Sequence, residues 1–330
     1  MTGPLAVLDQ LADGAIHTRQ GLAAALGRPP AVVAIELRAL HAWGVPVRVV
    51  RGRGYQLTAP VERLVANDIV ALLDRDLRDR LRSLAVQPVV GSTNTELLAA
   101  GTPPAGRADV LLAEYQTGGR GRRGRAWLAP FGCCLLLSVG IGGLPLRPDL
   151  SGLTLAVGVA LVRALGALGV RGVTLKWPND VEVDGAKLAG ILTELRADAA
   201  LGAHVVIGIG LNVRLPERVR LDVAAAGRRV TDLVRLNGAL DVAARPRIAA
   251  TVIAEVLGAA ETYGRDGFAA FRAEWKTHDS LAGRAVVVEA AGRARPGVAA
   301  GIAHDGALLV DFGAGAERVD AGDVSLRLAS

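Results

Sequence analysis

Between Gly118 and Trp127 the chain reads GGRGRRGRAW, four glycines interleaved with four arginines directly after the apolar, strand-like run Val110 to Tyr115. Glycine lets a backbone close tightly on a ligand, and arginine grips carboxylate or phosphate in a planar fork. The stretch therefore predicts a flexible flap, fed by a strand, over an anionic small molecule. Gly119 to Gly124 also satisfies G-x-G-x-x-G to the letter. That dinucleotide fingerprint has to open a helix, and here Pro130 and Gly132 interrupt whatever follows. A G-K-[ST] phosphate loop is missing too. The other reading is a purely structural arginine-glycine loop or a nucleic-acid contact. Stacking platforms for nucleic acid need aromatic residues, however, and only Trp127 stands near.

A second segment, Lys176-Trp177-Pro178-Asn179-Asp180, narrows the reading. Of 38 basic residues only three are lysines, Lys176, Lys187 and Lys276. Arginine is written wherever a solvated positive charge suffices, so two lysines eleven residues apart beside this segment point to a crowded phosphate site that needs a compact charge. A net charge of +6 over 330 residues is moderate and locally concentrated, unlike a general polyanion coat. Cys133 and Cys134 adjoin inside an apolar run, which suits buried thiols in a reducing compartment rather than a disulfide framework. The five histidines are scattered, and neither a zinc spacing nor a G-x-S-x-G elbow occurs. The uncharged run Ala126 to Leu146 is broken by two prolines and four glycines, a turn, a buried strand and a loop rather than a membrane span. MTGPLAV lacks the charged start of a signal peptide, so a soluble, cytoplasmic protein is expected.

The length fits two or three domains. Helices are expected at Leu5 to Leu11, Thr18 to Leu26 and Ala31 to Trp43, followed by a hairpin at Val45 to Thr58 that turns at Arg51 to Gly54. These are the parts of a winged helix-turn-helix, with Arg48, Arg51 and Arg53 placing charge on the wing. The third helix opens Ala31-Val32-Val33-Ala34-Ile35, poor in the polar donors that sequence readout wants, so a scaffold that docks internally or binds DNA weakly is the competing reading. A charged helix is expected from Asn67 to Leu84, opened by the capping candidates Asn67 and Asp68, and a shorter one from Thr95 to Ala100 capped within Ser92-Thr93-Asn94. Strands at Val110 to Tyr115, Cys134 to Val139, Val173 to Lys176, Val181 to Val183, Leu188 to Leu195 and His204 to Val213, with helices at Leu150 to Leu168, Ala243 to Tyr263 and Gly267 to Lys276, make a mixed α/β domain. From Arg284 only strands are expected, at Val286 to Glu289, Gly297 to Ile302, Ala307 to Asp311 and Ser325 to Leu328, which suggests a small barrel.

Gly91-Ser92-Thr93-Asn94, Glu114-Tyr115-Gln116, Gly119 to Arg125 with Trp127, Lys176 to Asp180, Lys187 to Leu192 and Gly208 to Val213 follow one another as they do in the bifunctional bacterial biotin-protein ligases, which the chain resembles over nearly its whole length. The resemblance implies an α+β protein with a winged helix-turn-helix at 1–62, a class II synthetase-like catalytic domain at 63–278 and a small SH3-like β domain at 279–330. It also implies two-step chemistry. Biotin and MgATP give biotinyl-5′-adenylate and pyrophosphate, and a lysine of the biotin carboxyl carrier domain of acetyl-CoA carboxylase then takes the biotin. A homodimer that forms with the adenylate bound, and operator DNA as a further partner, belong to the same expectation, with no membrane association.

On this resemblance Ser92, Thr93, Asn94 and Gln116 line the biotin pocket, Gly119, Arg120, Gly121 and Arg122 fold over it, and Lys176 contacts carboxylate and phosphate. Arg122, Trp127, Lys176, Asn179, Lys187 and Asn212 address the nucleotide, Asp180 the metal, and Lys176, Arg122 and Lys187 act in catalysis. Trp127 and Trp177 as plain core, and Ser92 to Asn94 as a plain helix cap, are the competing readings. One departure is plain. Where the family folds an apolar and aromatic cover over the adenine, residues 214–238 hold no aromatic, leaving Leu215, Val219 and Leu221 to serve. A lipoate-protein ligase and a non-catalytic winged-helix sensor are the alternatives.

Overall fold

The computed structural model describes residues 3–145, 150–198, 202–290, 293–320 and 325–328. Two compact units emerge, Met1–Arg63 with Ala129–Gly132, and Leu64–Leu128 with Cys133–Ser330. The first unit runs α1 (Pro4–Leu11), α2 (Arg19–Leu26), α3 (Pro30–Ala42) and a hairpin of β1 (Val47–Val50) and β2 (Gly54–Leu57). Thr18 caps α2 by accepting from the Gly21 amide at 2.9 Å, and Pro30 opens α3 with its preset φ. Val7, Leu11, Leu22, Val33 and Leu40 make the core between the helices. Glu36, buried within α3, is paired with Arg28 at 2.7 Å, so the outward face of that helix carries Val32, Ile35 and Arg38. On the hairpin, Arg48 is held by Gln56 at 2.7 Å, while Arg51 and Arg53 stay exposed at the turn.

The second unit continues with α4 (Ala66–Leu72), α5 (Arg75–Arg80), β3 (Leu81–Val90), α6 (Thr93–Ala99), β4 (Ala108–Gln116), β5 (Cys134–Leu144), α7 (Leu150–Ala167), β6 (Val173–Lys176), β7 (Asp180–Val183), β8 (Ala186–Asp198) and β9 (Gly202–Asn212). Next come α8 (Glu217–Ala225), α9 (Leu233–Leu236), α10 (Arg245–Asp266) and α11 (Ala269–His278). Seven strands form one sheet in the order β3-β4-β5-β9-β8-β7-β6, antiparallel except for the β3/β4 pair. On one face α7 and α10 bury a large aliphatic core, and on the other α6 packs through Leu97 against Leu111 and Val206.

The expected helix from Asn67 to Leu84 is corrected. Asp74 accepts from the Leu77 amide at 2.8 Å and starts a new, short helix, and the chain then enters β3, which pairs with β4. Its β-branched residues Val86, Val89 and Val90 suit a strand, and Pro88 is tolerated because β3 is a sheet edge. Val65, not Asn67 or Asp68, occupies the cap position of α4. The uncharged run is loop followed by β5, its last residue, Leu146, lying outside the described residues. Among the described residues no helix is long and apolar enough to cross a membrane.

The chain finishes in β10 (Ala285–Ala290), β11 (Arg293–Ile302), β12 (Leu308–Asp311), β13 (Ala316–Val319) and β14 (Ser325–Leu328), an antiparallel sheet ordered β13-β12-β11-β10-β14. Among the described residues its edges β13 and β14 do not pair, so the expected small barrel is seen as an open sheet. Its inner residues Val286, Ile302 and Leu308 share the core of the larger sheet, and the Trp177 indole donates to the Gly306 carbonyl at 3.0 Å.

One buried ion pair ties the start of this unit to its middle. Glu114 on β4 meets Arg245 at the head of α10 at 2.5 Å, both 1% exposed, and the same carboxylate accepts from the Leu64 amide. Removing one partner strands an uncompensated charge, so Arg245→Ala is expected to cost about 3–5 kcal/mol. Calorimetry should show the thermal midpoint falling by roughly 10 °C. A midpoint within a degree of wild type would show that the pair contributes nothing.

Candidate active site

A cavity of about 460 Å³ opens on the α6 face of the large sheet. Strand alternation puts Ser138 of β5, Gly190 and Glu194 of β8 and Gly208 and Gly210 of β9 on that one face. The glycines are slots. A Cβ on Gly208 would stand 2.3 Å from the Asn94 amide oxygen, and one on Gly210 2.5 Å from the Trp127 ring, with cross-strand Gly190 opening the other side of the same slot. Trp127 lies there with its indole nitrogen buried and lacking a protein partner among the described residues.

One end of the cavity is polar and buried. Gln116 Oε1 accepts from the Thr93 amide at 2.7 Å and from its hydroxyl at 3.0 Å, leaving the Gln116 –NH2 without a partner among the described residues. Ser138 donates to Asn94 Oδ1 at 2.6 Å, and Asn94 Nδ2 donates to the Leu192 carbonyl at 3.1 Å and to Glu194 at 2.7 Å. Ser92 sits at the cap position of α6 but makes no cap bond with its side chain, so it is not simply a helix cap.

Toward the other end stand the cations, three of them held by carboxylates. Arg120 Nη2 meets Glu194 at 3.0 Å, Lys176 meets Glu182 at 3.4 Å and Lys187 meets Asp180 at 2.5 Å. Strand register sets Lys176 opposite Asp180 and Lys187 opposite Glu182, so the two lysine pairs cross diagonally. Lys187 also lies 5.3 Å above the Trp127 ring. Burial lowers the pKa of Arg122, opposed by the nearby Asp180 charge, and Arg123 and Arg125 lower it further.

The arginine flap opens no helix. It makes a single 3-10 turn at Arg122–Gly124, with Arg123 at φ 57°, and is closed by Gly121 donating to the Arg125 carbonyl at 2.7 Å and Trp127 to the Gly119 carbonyl at 2.9 Å. This excludes the dinucleotide fingerprint on geometry.

Ser92, Thr93, Asn94, Gln116, Arg120, Gly121, Arg122, Trp127, Lys176, Asn179, Asp180, Lys187 and Asn212 all line the cavity, whereas Gly119, at the base of the flap against Gln116 and Trp127, does not. Trp177 does not reach it and belongs to the core, 2% exposed. The two asparagines are braces as well. Asn179 donates to the Ile191 carbonyl at 2.8 Å, and Asn212 to the Thr231 carbonyl at 3.0 Å. Leu215, just ahead of α8, and Val219 and Val223 of α8 line the cavity four residues apart, while Leu221 points outward at 62% exposure and is not part of the cover. Glu182, Glu194, Ser138 and the arginines at 228 and 229 were not singled out by sequence. A carboxylate or hydroxyl in a strand carries no mark of function until the partner strand is known. Cys134 is buried and burial pushes the Cys133 thiol up to about 11, so neither serves as a nucleophile at neutral pH.

Residues 86–212 match the Biotin/lipoate A/B protein ligase family, and residues 282–327 the Biotin protein ligase C terminal domain. The bifunctional ligase/repressor BirA of Escherichia coli is 36% identical over 330 residues, covering 99% of this chain and 98% of that protein. The biotin--[acetyl-CoA-carboxylase] ligase of Mycobacterium tuberculosis is 38% identical over 268 residues, 76% of this chain and 94% of that one. Among solved structures, the biotin protein ligase of Aquifex aeolicus in complex with biotin and ATP is similar with a TM-score of 0.61 at 26% identity, covering 76% of this chain and 99% of that one.

The slot beneath Asn94 makes a direct prediction. Gly208→Ala forces a methyl group into the amide, and such overpacking costs about 1–3 kcal/mol. Denaturant titration should show the lower stability, and a crystal structure of the variant should show Asn94 displaced from Ser138 and Glu194. An unmoved amide at unchanged stability would refute the packing described.

Proposed function

The chain belongs to the biotin protein ligase family, and from that premise we propose how its cavity activates biotin with ATP and passes it to a protein lysine. The observation that carries this reading is one cavity that brings together buried hydrogen-bonding groups, a set of anchored cations and the aliphatic side chains of Leu215, Val219 and Val223. A ureido head, with N–H donors and a carbonyl acceptor, suits the Thr93–Asn94–Gln116 end. The dithiolane of lipoate offers no strong acceptor to the Gln116 –NH2, the group this end leaves without a partner among the described residues, and an unmet donor in a buried site is expensive. That contrast favours biotin over lipoate.

In the first step a biotin carboxylate oxygen forms a bond to the α-phosphorus of ATP, and the bond to the bridging oxygen breaks to release pyrophosphate. Two anions have to meet, and their repulsion falls when fixed cations replace water around them. Lys176, held by Glu182, and the flap residues Arg120 and Arg122 supply that charge at the junction. In the second step the amine of an acceptor lysine bonds to the acyl carbon, AMP departs and the amine loses its proton. No protein nucleophile is required, because positioning and electrostatics suffice. Magnesium arrives with the triphosphate. The second carboxylate oxygen of Asp180 fits its habit of taking one or two carboxylates alongside substrate phosphates, and Lys187 holds that carboxylate in place.

The acceptor is the biotin carboxyl carrier domain of a carboxylase, in the cytoplasm. The first unit is read as a winged helix-turn-helix with Arg51 and Arg53 on operator phosphates, which makes the protein also a biotin-dependent repressor, dimeric with the adenylate bound. The outer face of α3, with Val32 and Ile35, is poor in the donors that base readout uses, so the wing arginines carry the DNA contact in this reading. The C-terminal sheet is read as an SH3-like module that buttresses Trp177.

Formation and retention of the adenylate separate two roles. Lys176→Ala is expected to abolish adenylate formation in a folded protein. Arg122→Gly is expected to form the adenylate more slowly, with Lys176 and Arg120 still at the junction, and then to release it, because the flap no longer holds it. Single-turnover assays with labelled ATP followed by gel filtration measure both. Normal pyrophosphate release from Lys176→Ala, or adenylate retained by Arg122→Gly as long as by wild type, would remove that residue from its role.

A further inference from the structure

The nucleotide end of the cavity holds two guanidinium groups that no step above employs. Arg228 and Arg229 line it directly after α8, flanked by Val223 and Val230, with Leu215 and Val219 on the same wall. The backbone there is pinned. Arg228 donates to the Val223 carbonyl at 3.1 Å, the Lys187 amide donates to the Arg229 carbonyl at 2.9 Å, and the Thr231 amide donates to the Lys187 carbonyl at 3.0 Å. The side chains are not pinned. Among the described residues neither guanidinium has an ion pair or a side-chain hydrogen bond, whereas Arg220 of the same cover is held by Asp232 at 3.4 Å. Arg229 reaches over the β7–β8 turn, its Nη1 3.6 Å from where a Cβ on Gly185 would stand.

Two candidate tasks present themselves, a phosphate and a base. The phosphates are already met by Lys176, Lys187, Arg120 and Arg122. Beside the arginine pair stand four aliphatic side chains, Leu215, Val219, Val223 and Val230, which suit a flat heterocycle. Among the described residues Trp127 is the one aromatic lining the cavity, and its ring already lies under the Lys187 ammonium. Residues 214–238 contain no Phe, Trp or Tyr. A guanidinium is planar, weakly hydrated and stacks on π faces.

We propose that Arg229, with Arg228 beside it, covers the base of the bound nucleotide by stacking a guanidinium plane on its face, the task an aromatic ring would otherwise perform. This rests on the reading of the cavity as a nucleotide site. The cover then gains affinity from the base and almost none from the phosphates.

Calorimetric binding of ATP and of inorganic tripolyphosphate to the full chain tests this. Replacing both residues, Arg228→Ala/Arg229→Ala, is expected to weaken ATP about three- to thirty-fold, the range of cation–π contacts, and to leave tripolyphosphate binding unchanged. Arg229→Trp in the Arg228→Ala background is expected to restore most of the ATP affinity, because an indole stacks but cannot pair with phosphate. Equal losses for both ligands, unchanged ATP binding in the double variant, or a tryptophan variant as weak as the alanine one would each overturn the proposal. A wild-type protein that binds no ATP would overturn the ligase reading and this proposal with it, whereas equal ATP binding by wild type and variant sinks the stacking alone.

Discussion

Three cations of the cavity are anchored by carboxylates, and the proposed chemistry depends on that anchoring. Lys176 to Glu182, Lys187 to Asp180 and Arg120 to Glu194 are carboxylate pairs of partial exposure, none worth much as a source of stability in itself. Their value lies in orientation. A lysine ammonium on a four-carbon stem loses considerable rotamer freedom when it is fixed, and a carboxylate on the adjoining strand fixes it before any ligand arrives. In the proposed reaction the two approaching anions would meet charges already in place, with no reorganisation needed. Glu194 does this twice, with one oxygen on the flap guanidinium and the other on Asn94 of the pocket's polar end, so the flap and the pocket share one support.

The second constraint is steric. Antiparallel pairing of β8 with β9 sets Gly190 against Gly210, and the pairing of β5 with β9 sets Ser138 against Gly208. Without side chains at those three glycines, the Trp127 ring and the Asn94 amide come down onto the backbone of the sheet. The sheet is thus both the core wall for α7 and α10 and the floor of the site. Changes on one face are felt on the other through strands that are buried on both.

The residues carrying charge or glycine at unusual density were legible in the sequence. The flap, the Lys176 to Asp180 segment, Lys187 and the Gly208 to Asn212 run stand out locally, and most of the strands and long helices follow from apolar periodicity. What escaped was set by register and by tertiary pairing. Glu182 and Glu194 read as solvated strand positions until β7 and β8 are laid beside their neighbours. Leu81 to Leu84, the start of β3, read as the end of a charged helix because the β partner, β4, lies many residues away and local propensity carries no trace of it. The cover was assigned to Leu221 rather than Val223, because only a helix beginning at Glu217 fixes which aliphatic side chains turn inward. Arg228 and Arg229 looked like ordinary surface charge and gain meaning only from their place on the cavity wall.

The proposed joining of two anions by anchored cations requires one reaction, the reversible formation of an acyl-adenylate. Exchange of labelled pyrophosphate into ATP by the purified protein reads it without any acceptor. Exchange that requires biotin, and that lipoate does not support, is the predicted result. No biotin-dependent exchange by the folded protein, or exchange driven as well by lipoate, would contradict the account.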